Sequence, residues 1–128
     1  METSILNSTK KILGLASDYT AFDLDIITHI NTAFSTLTQL GVGPAAGFMI
    51  EDASTNWVDF LGDADSQLNS VKSYVFLRVR LLFDPPATSY LINAYEDQIR
   101  ELEWRLNSHR EETQWVDPDP PVVVDPLI

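Results

Sequence analysis

The stretch LRVRLLFDPPATSYLINAYEDQIRELEWRLN, residues 77–107, sets two helical patterns on either side of Asp84-Pro85-Pro86. Proline lacks an amide donor and disfavours a helical residue before it, so the first helix must stop at this point. Two helices joined by so short a link pack against each other as an antiparallel pair. The first, opened by Asp65 or Ser66, carries Leu68, Val71, Tyr74, Val75, Val79 and Leu82 on one stripe. Phe76, Leu77, Leu81 and Phe83 fall off that stripe, so the helix is apolar over most of its circumference. Such a helix is covered on two sides, either by its own domain or by a neighbouring subunit. The second, capped by Thr88 or Ser89, has the stripe Leu91, Tyr95, Ile99, Leu102 and Leu106. Glu96 with Arg100, and Glu101 with Arg105, have the i,i+4 order that suits a solvated face. Trp104 lies about 140° round the helix from Ile99, which suits a surface residue or an interface anchor.

Upstream, residues 4–13 read as a short helix with Ser4 as cap, apolar Ile5, Leu6, Ile12 and Leu13, and Gly14 as its end. In FDLDIITHINTAFSTLTQLG the residues Ile26, Ile27, Ile30, Ala33, Phe34, Leu37 and Leu40 recur at spacings of three and four, one buried helical face. Asp23 and Asp25 suit its first turn and Gly41 its stop. Threonines 28, 32, 36 and 38 lower its intrinsic propensity, so packing must hold it. Residues 42–55 are irregular: Gly43-Pro44 and Gly47 mark turns, and Phe48 to Ile50 form a short strand or an extended loop piece. The segment is expected to be mobile in the free subunit and to order on contact with a partner. Ser54 or Thr55 then caps a brief helix that ends near Gly62.

The expected architecture is therefore all-α: a small helical domain over 1–112 centred on a long antiparallel helical hairpin, with an irregular mid-chain loop. Residues 113–128 form an extended, proline-rich C-terminal arm. That arm, TQWVDPDPPVVVDPLI, is more apolar than a solvated tail requires. Trp115 is an anchor candidate, and Val122, Val123 and Val124 have the branched side chains of a strand that adds to a partner.

Chemistry is hard to find in this chain. His29 and His109 stand alone, with no second histidine at metal-ligand spacing. Asp23 and Asp25 point about 200° apart on a helix and do not share a site. There is no glycine-bracketed serine and no phosphate loop, and no enzyme, cofactor or metal is expected. The absence of cysteine excludes disulfides and thiolate metal sites and fits an intracellular origin. No apolar run is long enough for a membrane span, and METSILNSTKKILGL lacks the order of a secretory signal. The net charge of −11 argues against a phosphate-neutralising surface. Six of the eight basic residues lie in 65–112, which suits either solvated helix faces or contact with acidic surface on another copy.

SVKSYVFLRVRLLFDPP followed by TSYLINAYEDQIRELEWRLN, with FDLDIITHINTAFSTLTQLG and a loop before them, resembles the head-to-tail connector (adaptor) proteins of tailed double-stranded DNA phages. The likeness covers about residues 4–112. It implies a helical virion protein of the neck, assembled in the host cytoplasm as a ring, usually dodecameric, under the portal. Its implied partners are the portal protein, neighbouring copies of itself and the next neck or tail-completion protein. Genome DNA would pass through the channel without specific binding. Candidate partner-binding residues are Phe76, Arg78, Arg80, Trp104, Trp115 and Val122 to Val124. The alternative from charge alone is an acidic DNA mimic that inhibits a nucleic-acid-processing enzyme. The mixed charge of the hairpin and the apolar arm disfavour it.

Overall fold

The computed structural model describes residues 3–61 and 67–114, with side chains through residue 107. It contains five helices among these residues: α1 (Ile5–Ile12), α2 (Asp23–Gln39), α3 (Trp57–Phe60), α4 (Leu68–Phe83) and α5 (Ser89–Gln114). The described fold is all-α. Helix α2 packs along α4, α1 lies against both, and α5 packs on the other side of α4. Gln67 reaches the Leu106 carbonyl and Tyr74 reaches Glu103, so α5 runs back along α4.

Local signals explain most helix ends. Ser4 Oγ accepts from the Asn7 amide at 3.2 Å and starts α1. Thr88 Oγ1 accepts from the Leu91 amide and starts α5. Helix α2 closes with Gly41 in the left-handed region at φ 83°. There the Gly41 amide bonds Thr38 O, the Val42 amide bonds Leu37 O, and Val42 buries itself beside the helix end. The short α3 begins at Asn56, whose amide donates to Asp59 Oδ2 at 2.8 Å.

The core runs through Ile5, Leu6, Ile26, Ile30, Ala33, Phe34, Leu37, Val71, Tyr74, Val75 and Val79, all essentially inaccessible. Its irregular side is aromatic. The Phe34 ring meets Phe60 at 4.6 Å, Phe48 at 5.0 Å and Trp57 at 6.3 Å. Trp57 meets Phe76 edge-on at 5.6 Å, which carries the cluster across to α4. The start of α1 joins the start of α3 as an isolated antiparallel bridge: Ile5 donates to Thr55 O and Trp57 to Thr3 O. Trp57 Nε1 donates to Ser8 Oγ at 2.9 Å and closes the same corner.

Several expectations require correction. The cap of α3 is Asn56, not Ser54 or Thr55, because Ser54 turns back to bond Asp52 and Asn56 is the residue paired to Ser4. The helix ends at Phe60, with Leu61 already extended. Of the two readings of Phe48–Ile50, the loop piece holds: its partner is a side chain, Asn31, which accepts from the Ile50 amide at 2.8 Å and donates to its carbonyl at 3.0 Å. Ile12, Leu82 and Leu91 are about half exposed, since no other element covers those helix ends. Arg100 bonds Asp97 rather than Glu96, while Arg105 bonds Glu101 as the spacing suggested. Asp65, Ser66 and the whole arm from Trp115 onward lie outside the described residues.

One charge sits inside. Lys10 is 1% exposed; its Nζ donates to the Ser17 carbonyl at 3.0 Å and lies 2.8 Å from Asp23 Oδ1. That oxygen is buried and accepts no well-directed hydrogen bond, so the lysine charge is what balances it. The pair ties the end of α1 to the first residue of α2. Replacing Lys10 with Met strands the Asp23 carboxylate and is expected to lower stability by about 3 kcal/mol, the lower end for a broken buried pair because Asp23 is partly solvated. Adding Asp23→Asn should recover part of the loss, and Lys11→Met should shift urea unfolding by less than about 0.5 kcal/mol.

Gly43 has φ 87° and a Cβ there would collide with the Phe60 ring, whereas Gly47 at φ 97° faces open space. Gly47→Ala is expected to cost the left-handed backbone strain, about 1–2 kcal/mol. Gly43→Ala should cost clearly more, because Phe60 must also leave the Phe34 cluster. Equal melting temperatures for the two variants would contradict this placement.

Candidate interaction surfaces

The residues singled out for partner contact divide sharply in their surroundings. Phe76 is already occupied, packed on Trp57 within the domain. Arg78 is committed to a half-buried network between α4 and α5. Its Nη1 donates to Tyr74 Oη at 2.7 Å and lies 3.5 Å from Glu103 Oε2. The guanidinium also lies 5.6 Å from the centre of the Tyr74 ring. Tyr74 Oη in turn donates to Glu103 Oε2 at 2.6 Å. Arg80 Nε donates to the Asp84 carbonyl at 2.8 Å, holding the end of α4 as the chain turns into the prolines. These three side chains therefore serve the fold first.

Trp104 differs, being 69% exposed. Tyr90, 79% exposed, lies 14 residues earlier, which is about 40° round the helix and about 21 Å along it. Two large aromatics thus share the outer face of α5, with the Asp97–Arg100 pair between them and the Glu101–Arg105 pair beside Trp104. Aromatic residues interleaved with arginine on an otherwise solvated helix mark an interface surface. The i,i+14 relation was readable in the sequence, but Tyr90 escapes notice because it sits in the first turn beside the cap.

A second exposed cluster joins the loop after α1 to the end of α4. Tyr19 and Phe22 stack edge-to-face at 5.9 Å, and Phe22 meets Phe83 at 5.4 Å. Leu24, 78% exposed, follows Phe22 in the chain. This cluster is assembled from residues about sixty apart in sequence, and no local pattern announces it. In the mid-chain loop, Gly43 and Gly47 take left-handed conformations around exposed Pro44, while Val42, Phe48 and Ile50 hold the loop to the core. Trp115 and Val122 to Val124 lie outside the described residues.

Among the described residues, no group of three or more histidines and carboxylates is arranged to hold a metal, and no helix is long and apolar enough to cross a membrane. What the surfaces offer is apolar contact area framed by paired charges.

The Tyr74 network has a measurable signature. Burial, reinforced by the hydrogen bond to Glu103, pushes the Tyr74 hydroxyl well above the ordinary phenol range. A tyrosine in the unfolded chain ionises near pH ~10. Between that pH and the higher folded value, the unfolded state releases a proton that the folded state keeps. Stability contributed by this group is therefore full below pH ~10 and declines as the pH rises above it. The gap in unfolding free energy between the parent and Tyr74→Phe should be constant through neutral pH and narrow above pH ~10. A gap that stays constant to high pH would contradict the burial of this hydroxyl.

No curated protein and no solved structure matches the chain. A protein-family model, described as phage connector protein, matches residues 5–113. The match runs from the first residue of α1 to the penultimate residue of α5, and so takes in the aromatic cluster, the Lys10–Asp23 tie and both exposed apolar surfaces. The chain belongs to the phage connector protein family, whose role in the virion is structural, at the connection between head and tail.

Proposed function

We propose that this protein is a subunit of a ring in the virion neck, seated under the portal and surrounding the channel through which the genome passes. The observation that carries this reading is the family match over residues 5–113. The physical character of the surfaces supports it. A ring subunit meets its neighbours through two different patches, one on each side. The outer face of α5, with Tyr90 and Trp104, and the Tyr19–Phe22–Phe83 cluster are two such unlike patches. The acidic balance of −11 keeps DNA from adhering to the channel wall. The loop around Gly43, Pro44 and Gly47 contacts the next ring or a neighbour and becomes ordered there. The arm that follows α5, residues 115–128, joins the subunit to another chain of the neck, the portal or an adjacent copy, through Trp115 and Val122 to Val124. Assembly takes place in the host cytoplasm on filled heads.

Net charge alone favours the acidic DNA mimic. Asp23, Asp97, Glu101 and Glu103 are each paired with a lysine or arginine, so they do not form a bare, phosphate-like array.

Deleting residues 114–128 is expected to leave a folded subunit with an almost unchanged melting temperature that no longer attaches to DNA-filled heads. Normal attachment of the shortened chain would refute the role of the arm. Trp104→Ala, at an exposed site, should change stability by less than about 0.5 kcal/mol. It should also weaken self-association seen by mass measurement at several concentrations.

A further inference from the structure

A groove of about 750 Å³ runs between α2 and the loop at 46–49, lined by Thr28, Asn31, Thr32, Ser35, Phe48 and Met49 among others. Its α2 wall is the side of the helix away from the buried Ile26, Ile30, Ala33, Phe34 and Leu37. In a chain with 27 charged residues, none of the groove-lining residues is charged. Its polar wall is also less polar than its composition implies. Thr28, Thr32 and Thr38 each donate their hydroxyl to the carbonyl four residues back, which leaves methyl groups to line the surface. Asn31 is fully engaged by the Ile50 main chain. Opposite, Met49 is 71% exposed. Among the described residues, the main-chain amides and carbonyls of Phe48 and Met49 have no partner. An uncharged, methyl-rich groove with open main-chain groups along one lip fits an extended, uncharged, β-branched peptide.

The chain itself contains one such segment outside the described residues: Pro120-Pro121-Val122-Val123-Val124, an uncharged run between Asp119 and Asp125. We infer that this segment of one copy lies in the α2 groove of a second copy, pairing with the Phe48–Met49 main chain. The geometry favours a second copy over the same one. Helix α5, from which the arm departs, packs on α4, while the groove is on the far side of α2. The outer helix axes stand about 16–20 Å apart across two helix-to-helix contacts, but α4 lies on the direct line, and a path round layers about 26–32 Å wide is about 40–50 Å. Nine residues from Gln114 to Val123 extend at most about 30 Å. A chain departing on one side and a groove opening on the other is the arrangement a head-to-tail contact uses. This inference rests on the proposed meeting of copies in a ring, and it gives the arm one of the two partners left open there.

The absence of native cysteine makes the test direct. Two single-cysteine full-length chains, Met49→Cys and Val123→Cys, are mixed under mild oxidation, and the mass of the same samples is followed by light scattering. A disulfide-linked pair of unlike chains should form about a thousandfold faster than between Lys11→Cys and Val123→Cys, as expected when docking raises a micromolar encounter to a millimolar effective concentration. Oligomers that form normally while the two pairs react at equal rates would overturn the groove and leave the ring standing. A chain that stays monomeric and gives no preferred pair would overturn both. A doubly substituted chain that closes within one copy at high dilution would assign the groove to the chain's own arm and refute the second-copy contact.

Discussion

The Phe34 ring is the contact on which the rest of the domain depends. Helix α2 is rich in threonine and has no strong propensity of its own, so its position must come from packing. Phe34 gives it three aromatic neighbours at once, Phe48 from the loop and Trp57 and Phe60 from α3. Edge-to-face and tilted ring contacts of this kind add to the area that each ring buries. Through Trp57 the same cluster reaches Phe76 and fixes α4. The irregular half of the molecule is therefore held to the helical half by rings, with backbone ladders almost absent from that side. The close fit at Gly43 follows, since the Phe60 ring occupies the space that any side chain would need.

This arrangement also explains why α4 is apolar over most of its surface. Val71, Tyr74, Val75 and Val79 face the core, Phe76 joins the aromatic cluster, and Phe83 meets Phe22 beyond the end of the core. Its neighbours within the domain cover most of this circumference, leaving Leu82 exposed at the proline turn. The surface free for partners lies instead on the outside of α5, in the loop after α1, and along the outer side of α2. The polar interior links are few and specific. Lys10 with Asp23, and Tyr74 with Glu103 and Arg78, each bridge two helices, so each fixes one relative placement that apolar packing alone would leave looser.

The spacing of Ile26, Ile30, Ala33, Phe34 and Leu37 makes α2 legible in the sequence, because a buried stripe leaves a period of its own. The caps at Ser4 and Thr88 and the stop at Gly41 are legible too, since each acts on backbone groups within four residues. Leu82 and Leu91 mislead: they continue a stripe past the point where another element covers it, and stripe length says nothing about coverage. Lys10 is invisible at that level. Beside Lys11 it looks like a solvated pair, and only the return of the chain through Ser17 to Asp23 takes it out of water. The Tyr19–Phe22–Phe83 cluster and the α2 groove are equally hidden, because each is made by segments distant in sequence.

The bridge between Ser4 and Asn56 has a consequence for the order in which the chain becomes structured. The contacts that lock α1, from Ile5 to Thr55 and from Trp57 to Thr3 and Ser8, join residues about fifty apart, and closing so long a loop must precede any reward from them. During synthesis, which proceeds from the N-terminus, the end of α1 can meet α2 through Lys10 and Asp23, but its start has no partner until α3 has followed. The valines of α4 come later still, so Ile26, Ile30 and Leu37 wait uncovered through that interval. The start of α1 is thus secured only once α3 has been made, and the nascent subunit passes through a stage in which its central apolar face is open to whatever is nearby.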